Sequence, residues 1–149
     1  MKRISLGLVF ACVIGTGFAM AAADPIKDRK ELMKGNGDAM KAVGAMLKGE
    51  KPYDAAAAAA AMKSVGSSVD KFLTLFPKGS ETGGDTTAKP EIWAAKADFD
   101  SIGKALKEGT AKAEKAAAGG LDSFKAAMGD VGKNCKACHE KYRVEKEKK

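Results

Sequence analysis

Residues 26–54 read IKDRKELMKGNGDAMKAVGAMLKGEKPYD. Ile26, Met33, Met40 and Leu47 recur every seven residues, with Leu32, Val43 and Met46 beside them, so that an apolar stripe runs down one helical face. That face must be buried against partners. The helix is expected to end near Gly49, and Lys51-Pro52-Tyr53-Asp54 is a short connection with the proline placed to start the next helix. A short connection makes the two helices antiparallel neighbours.

The second helix is expected to run through the alanine stretch from Ala55 to Ala61, where helix propensity is highest, and then to turn Met62, Val65, Val69, Phe72, Leu73 and Phe76 inward. Small side chains on such a face allow close approach or room for something bulky. From Pro77 to Lys89 glycines, serine and threonines crowd together, which marks one long loop. Pro90 and Glu91 open a third helix, with Ile92, Phe99, Ile102, Leu106 and Trp93 as its inward face, ending around Gly119-Gly120. A fourth starts at Leu121-Asp122 and carries Phe124, Ala127, Met128 and Val131 toward Cys135. The predicted fold is all-α, an antiparallel up-down-up-down four-helix bundle.

Composition supports one helical domain. The chain has 149 residues, 45% hydrophobic and only 6% aromatic, with four prolines, a balance that disfavours a β-sandwich. With 30% charged residues beside that apolar content it is not a disordered chain.

Residues 1–23 behave differently from the rest. Lys2 and Arg3 form a basic start, Leu6 to Phe18 is a short apolar run broken by glycines, and Ala21-Ala22-Ala23 offers small residues before Asp24. This predicts a secretory signal peptide cleaved after Ala23, with Ala21 as the alternative, leaving 24–149 as the mature domain. Cys12 falls inside the signal. The apolar run is too short, and lacks the basic flank, for a membrane anchor.

The formal net charge is +7, and much of the excess sits in a C-terminal run: Lys141, Arg143, Lys146, Lys148 and Lys149, interleaved with Glu140, Glu145 and Glu147. One reading is a solvated, fraying helix end whose cations favour the helix dipole. The other is a docking patch for an acidic redox partner, where opposite charge accelerates encounter. Acidic dilution and the lack of interleaved aromatics speak against nucleic acid.

The decisive motif is Cys135-Lys136-Ala137-Cys138-His139. C-x-x-C-H is the attachment signature of c-type haem, in which two thiols add to porphyrin vinyl groups and the adjacent imidazole ligates iron. Positions i, i+3 and i+4 share a helical face, so both sulfurs and the imidazole meet one flat cofactor. His139 is the only histidine. A zinc site lacks further Cys or His to complete a usual ligand set. A thioredoxin-like dithiol wants a strand-then-helix context, and a plain disulfide leaves the histidine unexplained. A haem also supplies core volume to a chain rich in alanine and glycine.

With this motif near its C-terminus, the chain resembles class II cytochromes c, the cytochrome c′ family. The resemblance extends to Gly49-Glu50-Lys51-Pro52-Tyr53-Asp54, to Gly83-Gly84-Asp85 leading into Lys89-Pro90-Glu91-Ile92-Trp93, and to Gly129-Asp130-Val131-Gly132 and Tyr142-Arg143 around the motif. It implies one covalently bound haem c, a periplasmic location and redox partner proteins. Pairing of two subunits through the first two helices is a further implication, since relatives often do so.

Low-spin members of the c-556 type take a methionine from the first helix as sixth iron ligand, and the resemblance aligns Met33 with that position. Arg29, one turn earlier, resembles the arginine that contacts a haem propionate; Arg143 is a second guanidinium suited to a carboxylate. Met33 has an alternative role in plain packing, and Met40 is the next candidate ligand. Met46, Met62 and Met128 are core candidates, Met128 being placed by the haem helix itself to line the pocket; Trp93 and Tyr142 are pocket or bundle packing residues, and Lys136 faces solvent. The resulting expectation is a monohaem electron carrier, not an enzyme, since no distal histidine or arginine set for activating peroxide is visible. The competing expectation is a high-spin protein with an open distal site that binds nitric oxide or carbon monoxide.

Overall fold

The computed structural model of the chain describes residues 24–145. The predicted signal peptide and Lys146, Glu147, Lys148 and Lys149 lie outside the described residues. Among these, helices α1 (Pro25–Leu47), α2 (Ala55–Leu73), α3 (Glu91–Ala94), α4 (Lys96–Ala116) and α5 (Leu121–Tyr142) account for the fold, with one 3-10 turn over Ala117–Gly119. α3 and α4 together take the place of the third helix, and the result is the expected four-helix bundle.

Local chemistry sets the helix ends. Asp24 caps α1, its Oδ1 accepting from the N–H groups of Ile26 and Lys27 at 3.0 Å, with Pro25 in the first turn. Asp54 caps α2 through Ala57 N–H at 2.9 Å, so Pro52 does not start that helix, contrary to expectation, but stiffens the connection before its cap. Tyr53, in the same connection, donates from its hydroxyl to Ala117 O at 2.7 Å and ties the α1–α2 turn to the α4–α5 turn.

Three other boundaries differ from those predicted. Phe76 lies beyond the end of α2 and is buried from the loop. The third helix is interrupted at Ala95, whose φ of −124° and ψ of 44° leave the helical region. Of the basic C-terminal run, the described part leaves the helix after Tyr142: Arg143 is extended (φ −119°, ψ 132°) and pairs with Ala88 in an antiparallel bridge, while Lys146, Lys148 and Lys149 lie outside the described residues.

α2 packs along α4, and α4 along α5, while α1 approaches α2. The close contact of α2 with α4 depends on small residues; a Cβ on Gly66 would stand 2.7 Å from Thr110 Oγ1. The core divides into two clusters. The first joins Val43 and Met46 of α1, Ala58, Met62 and Val65 of α2, Ala113 and Ala117, and Phe124, Met128 and Val131 of α5. The second joins Phe76, Ile92, Phe99 and Tyr142, with Phe72 and Trp93 against it. Phe99 is its hub, meeting Phe76 edge-on at 4.8 Å and Tyr142 edge-on at 5.2 Å. Met46, Met62 and Met128 are core, and half-buried Met40 packs on the first cluster.

Candidate functional site

α5 carries the motif because its apolar residues Phe124, Met128 and Val131 hold one face against the core. That register leaves Cys135 half-buried against the first cluster and Cys138 half-buried against the second. The two thiols thus lie one at the edge of each half of the core. Both are free, and burial raises both pKa values, that of Cys138 to about 11 with help from the neighbouring sulfur. They are protonated thiols at neutral pH. Among the described residues, no group of three or more His, Cys, Asp or Glu side chains converges to hold a metal ion by itself.

His139 is exposed on the last turn of α5. Desolvation by its surroundings, and then the charge of Arg143, lower its pKa and favour the neutral imidazole that metal ligation requires. Arg143 is exposed beyond the helix end. Lys136 is exposed as expected, 3.6 Å from Glu140.

Arg29 is placed with unusual care for an arginine, only 5% exposed. Its Nη2 donates to Ser80 O at 2.7 Å and its Nε to Pro25 O at 3.2 Å. The guanidinium lies 4.6 Å from the ring centre of Phe76 and 5.6 Å from that of Trp93. Trp93 in turn donates its indole N–H to Pro77 O at 3.2 Å. Burial lowers the guanidinium pKa, opposed by the charges of Asp24 and Glu81. Nη1 has no hydrogen-bond partner among the described residues. A buried charged donor left over from an otherwise complete set of contacts fits an anionic group of a bound cofactor.

Met33 lies one turn along α1 from Arg29, half-buried, and with Leu32 it packs on neither core cluster. A haem fits these residues: two free thiols at the inner edge of α5, a neutral imidazole beside them, apolar α1 side chains outside both clusters and a buried guanidinium with a spare donor. Arg143 pairs with Ala88, and among the described residues no hydrogen bond or ion pair joins it to Arg29 or the cysteines; the supports of Arg29 were invisible in the sequence. Nothing in the local pattern joins Ser80 and Phe76 to a residue some fifty positions earlier.

An all-helical bundle whose last helix ends in C-x-x-C-H defines a c-type haem protein. The family model for cytochrome C' matches residues 24–143. A cytochrome c′ of Rhodopseudomonas palustris is 42% identical over 90% of this chain and 91% of its own length. A cytochrome c-556 of Agrobacterium fabrum is 37% identical over 98% of this chain and 97% of its own. The solved cytochrome c′ of Rhodopseudomonas palustris superposes with a TM-score of 0.77 at 38% identity, covering 83% of this chain and 98% of that one. The chain belongs to the cytochrome c′ family, whose members carry covalently attached haem c and serve in electron transfer or gas binding.

Proposed function

We propose that this protein is a periplasmic monohaem electron carrier, exported by its signal peptide, with low-spin iron held between His139 and Met33. The observation that carries the reading is the place of Met33 on α1: one turn from Arg29, half-buried and outside both core clusters. A methionine used only for packing belongs in a cluster, as Met46, Met62 and Met128 do.

When bound, the haem supplies an iron that cycles between ferrous and ferric states without bond chemistry on a substrate. The chain's residues determine how. Cys135 and Cys138 would hold the porphyrin by thioether bonds, His139 would ligate the iron on the proximal side, and Met33 on the distal side, raising the potential. Arg29 would direct Nη1 to a propionate, and exposed Arg143 would serve a second carboxylate or a partner. The two core clusters exclude water, which limits reorganisation as charge changes. Lys133, Lys136, Lys141 and Arg143 are exposed along and just past the end of α5 and favour an acidic redox partner. Two copies would pair through α1 and α2. Among the described residues no helix is long and apolar enough to cross a membrane.

A second reading is an open distal site that binds nitric oxide or carbon monoxide, since the chain is similar to cytochromes c′ and cytochromes c-556 alike, 42% identical to one of the former and 41% to one of the latter. Absorption spectra of both oxidation states separate the two. The expected result is a six-coordinate low-spin spectrum with a methionine-to-ferric charge-transfer band, lost in Met33→Ala. A high-spin ferric spectrum with ready carbon monoxide binding by the wild type overturns the electron-carrier reading in favour of the second.

A further inference from the structure

The loop between α2 and α3 is hydrogen-bonded to α1, which carries Met33, and to the last turn of α5, which carries His139, and to the residues just past it. Toward α1, Ser80 O accepts from Arg29 Nη2 at 2.7 Å and Gly84 O accepts from Lys30 Nζ at 3.3 Å. Gly84, at φ +52°, lies so near Ile26 that a Cβ there would be 2.9 Å from its Cγ2. Toward α5, Lys89 N–H donates to Tyr142 O at 2.9 Å, Lys89 Nζ to Glu140 O at 3.1 Å, and Val144 N–H to Thr87 O at 2.8 Å.

These last bonds answer a need of any helix end. The final carbonyls of α5 have no partners within the helix; Arg143 N–H takes that of His139, and Lys89 takes two more from outside. A lysine there also opposes the negative end of the dipole. At the opposite end of the bundle α1 meets α5 through the first core cluster, where Val43 and Met46 join Phe124 and Met128. At the site end, among the described residues, the loop is hydrogen-bonded both to the helix of Met33 and to the helix of His139.

We infer that residues 77–90 form a clasp, with Lys89 as its positioning residue, which holds the Met33 helix to the His139 helix and so sets how readily Met33 gives way to a small diatomic ligand. This rests on the reading of Met33 as an iron ligand. Lys89 touches no cofactor in this scheme and acts through the last turn of α5. The clasp makes the distal position a protected one without walling it off: the methionine leaves when loop and helix part.

The test measures the rate of carbon monoxide binding to the ferrous holoprotein, for wild type, Lys89→Ala and Val144→Pro. The proline deletes the Val144 N–H donor, and Arg143 already has the extended conformation a following proline requires. Val144 is exposed, so its side chain can be replaced without opening the core. Gly66→Ala, at the α2–α4 contact away from the loop, serves as the control for general destabilisation. Loss of one hydrogen bond corresponds to a rate increase of about fivefold in each clasp variant, with wild-type behaviour in the control. Rates in both clasp variants within about twofold of wild type, with the methionine band present in wild type, overturn the clasp alone. So does an equal acceleration in Gly66→Ala. A wild-type spectrum without methionine ligation overturns the underlying reading and the clasp with it.

Discussion

The hydroxyl of buried Tyr142 donates to the carboxylate of Asp98, which also accepts from Lys141 Nζ at 2.8 Å. This joins the last turn of α5, three residues past His139, to the first turn of α4. Hydrogen bonding from Lys141, and then from Tyr142, lowers the Asp98 pKa below its ordinary value. A carboxyl with a depressed folded pKa stabilises the fold above its unfolded pKa, and that contribution is lost as pH falls through the folded value. Burial, and then the Asp98 bond, raise the Tyr142 pKa above 10.0. Its contribution is present below pH 10 and is lost as pH rises toward the folded value. Melting temperature against pH is therefore expected to fall on both sides, with a shallower acid arm in Asp98→Asn and a shallower alkaline arm in Tyr142→Phe. Superimposable profiles for wild type and both variants would remove this pair from the stability of the haem-helix terminus.

The α2–α4 contact makes a sharper demand on size. A Cβ at Gly66 meets Thr110 Oγ1 at 2.7 Å, and Thr110 is buried with its hydroxyl bonded to Lys107 O at 2.8 Å. At Gly103 the nearest atom, at 2.8 Å, is the outer methyl of Leu73, a half-buried and flexible side chain. Gly66→Ala is expected to cost about 1–3 kcal/mol and Gly103→Ala less, by urea denaturation. Adding Thr110→Ala to Gly66→Ala should recover part of the loss. Equal costs at the two glycines would mean that the neighbour's stiffness does not govern the contact.

How much of this was legible follows the range of the interactions. The stripe of α1 could be read because Val43 and Met46 are spaced by the helix itself, and the motif of α5 because its three residues share one turn. The break at Ala95 could not, since Ala94-Ala95-Lys96 contains no proline or glycine to mark it. Half-buried Ile26 and Met33 fill only part of the burial their periodicity promised, because the first core cluster gathers at the C-terminal half of α1. The seat of Arg29 was hidden for another reason: two of its partners are main-chain carbonyls, which every residue has. The same holds for Lys89, whose two acceptors are carbonyls of α5.

Arg29 offers a test of its charge apart from its packing. The guanidinium is fixed by Ser80, Pro25 and two aromatic rings, leaving Nη1 for an anion. A positive charge beside the haem disfavours the oxidised state, which carries one more positive charge. Arg29→Met is therefore expected to lower the reduction potential, by on the order of 1 kcal/mol or ~40 mV for a one-electron couple. Arg29→Lys keeps the charge but loses the planar fork, so its potential should lie between the two. Redox titration of the three proteins is the measurement, and a potential unchanged in Arg29→Met would show that Nη1 faces something other than the cofactor.

The placement of Cys135 and Cys138 against separate core clusters bears on what each sulfur holds. If each forms its own thioether, then either Cys135→Ala or Cys138→Ala leaves one covalent bond and the haem stays with the chain after denaturation in acidified organic solvent. The double variant releases it. Intact mass should show one added haem in wild type and in each single variant, and none in the denatured double variant. Because a bound group that favours only the folded state adds to its stability, the double variant should also melt at a temperature that rises with added haem, whereas wild type does not respond. Haem lost from one single variant but kept by the other would mean that only one of the two cysteines is bonded, and the divided core would then bear on packing rather than on attachment.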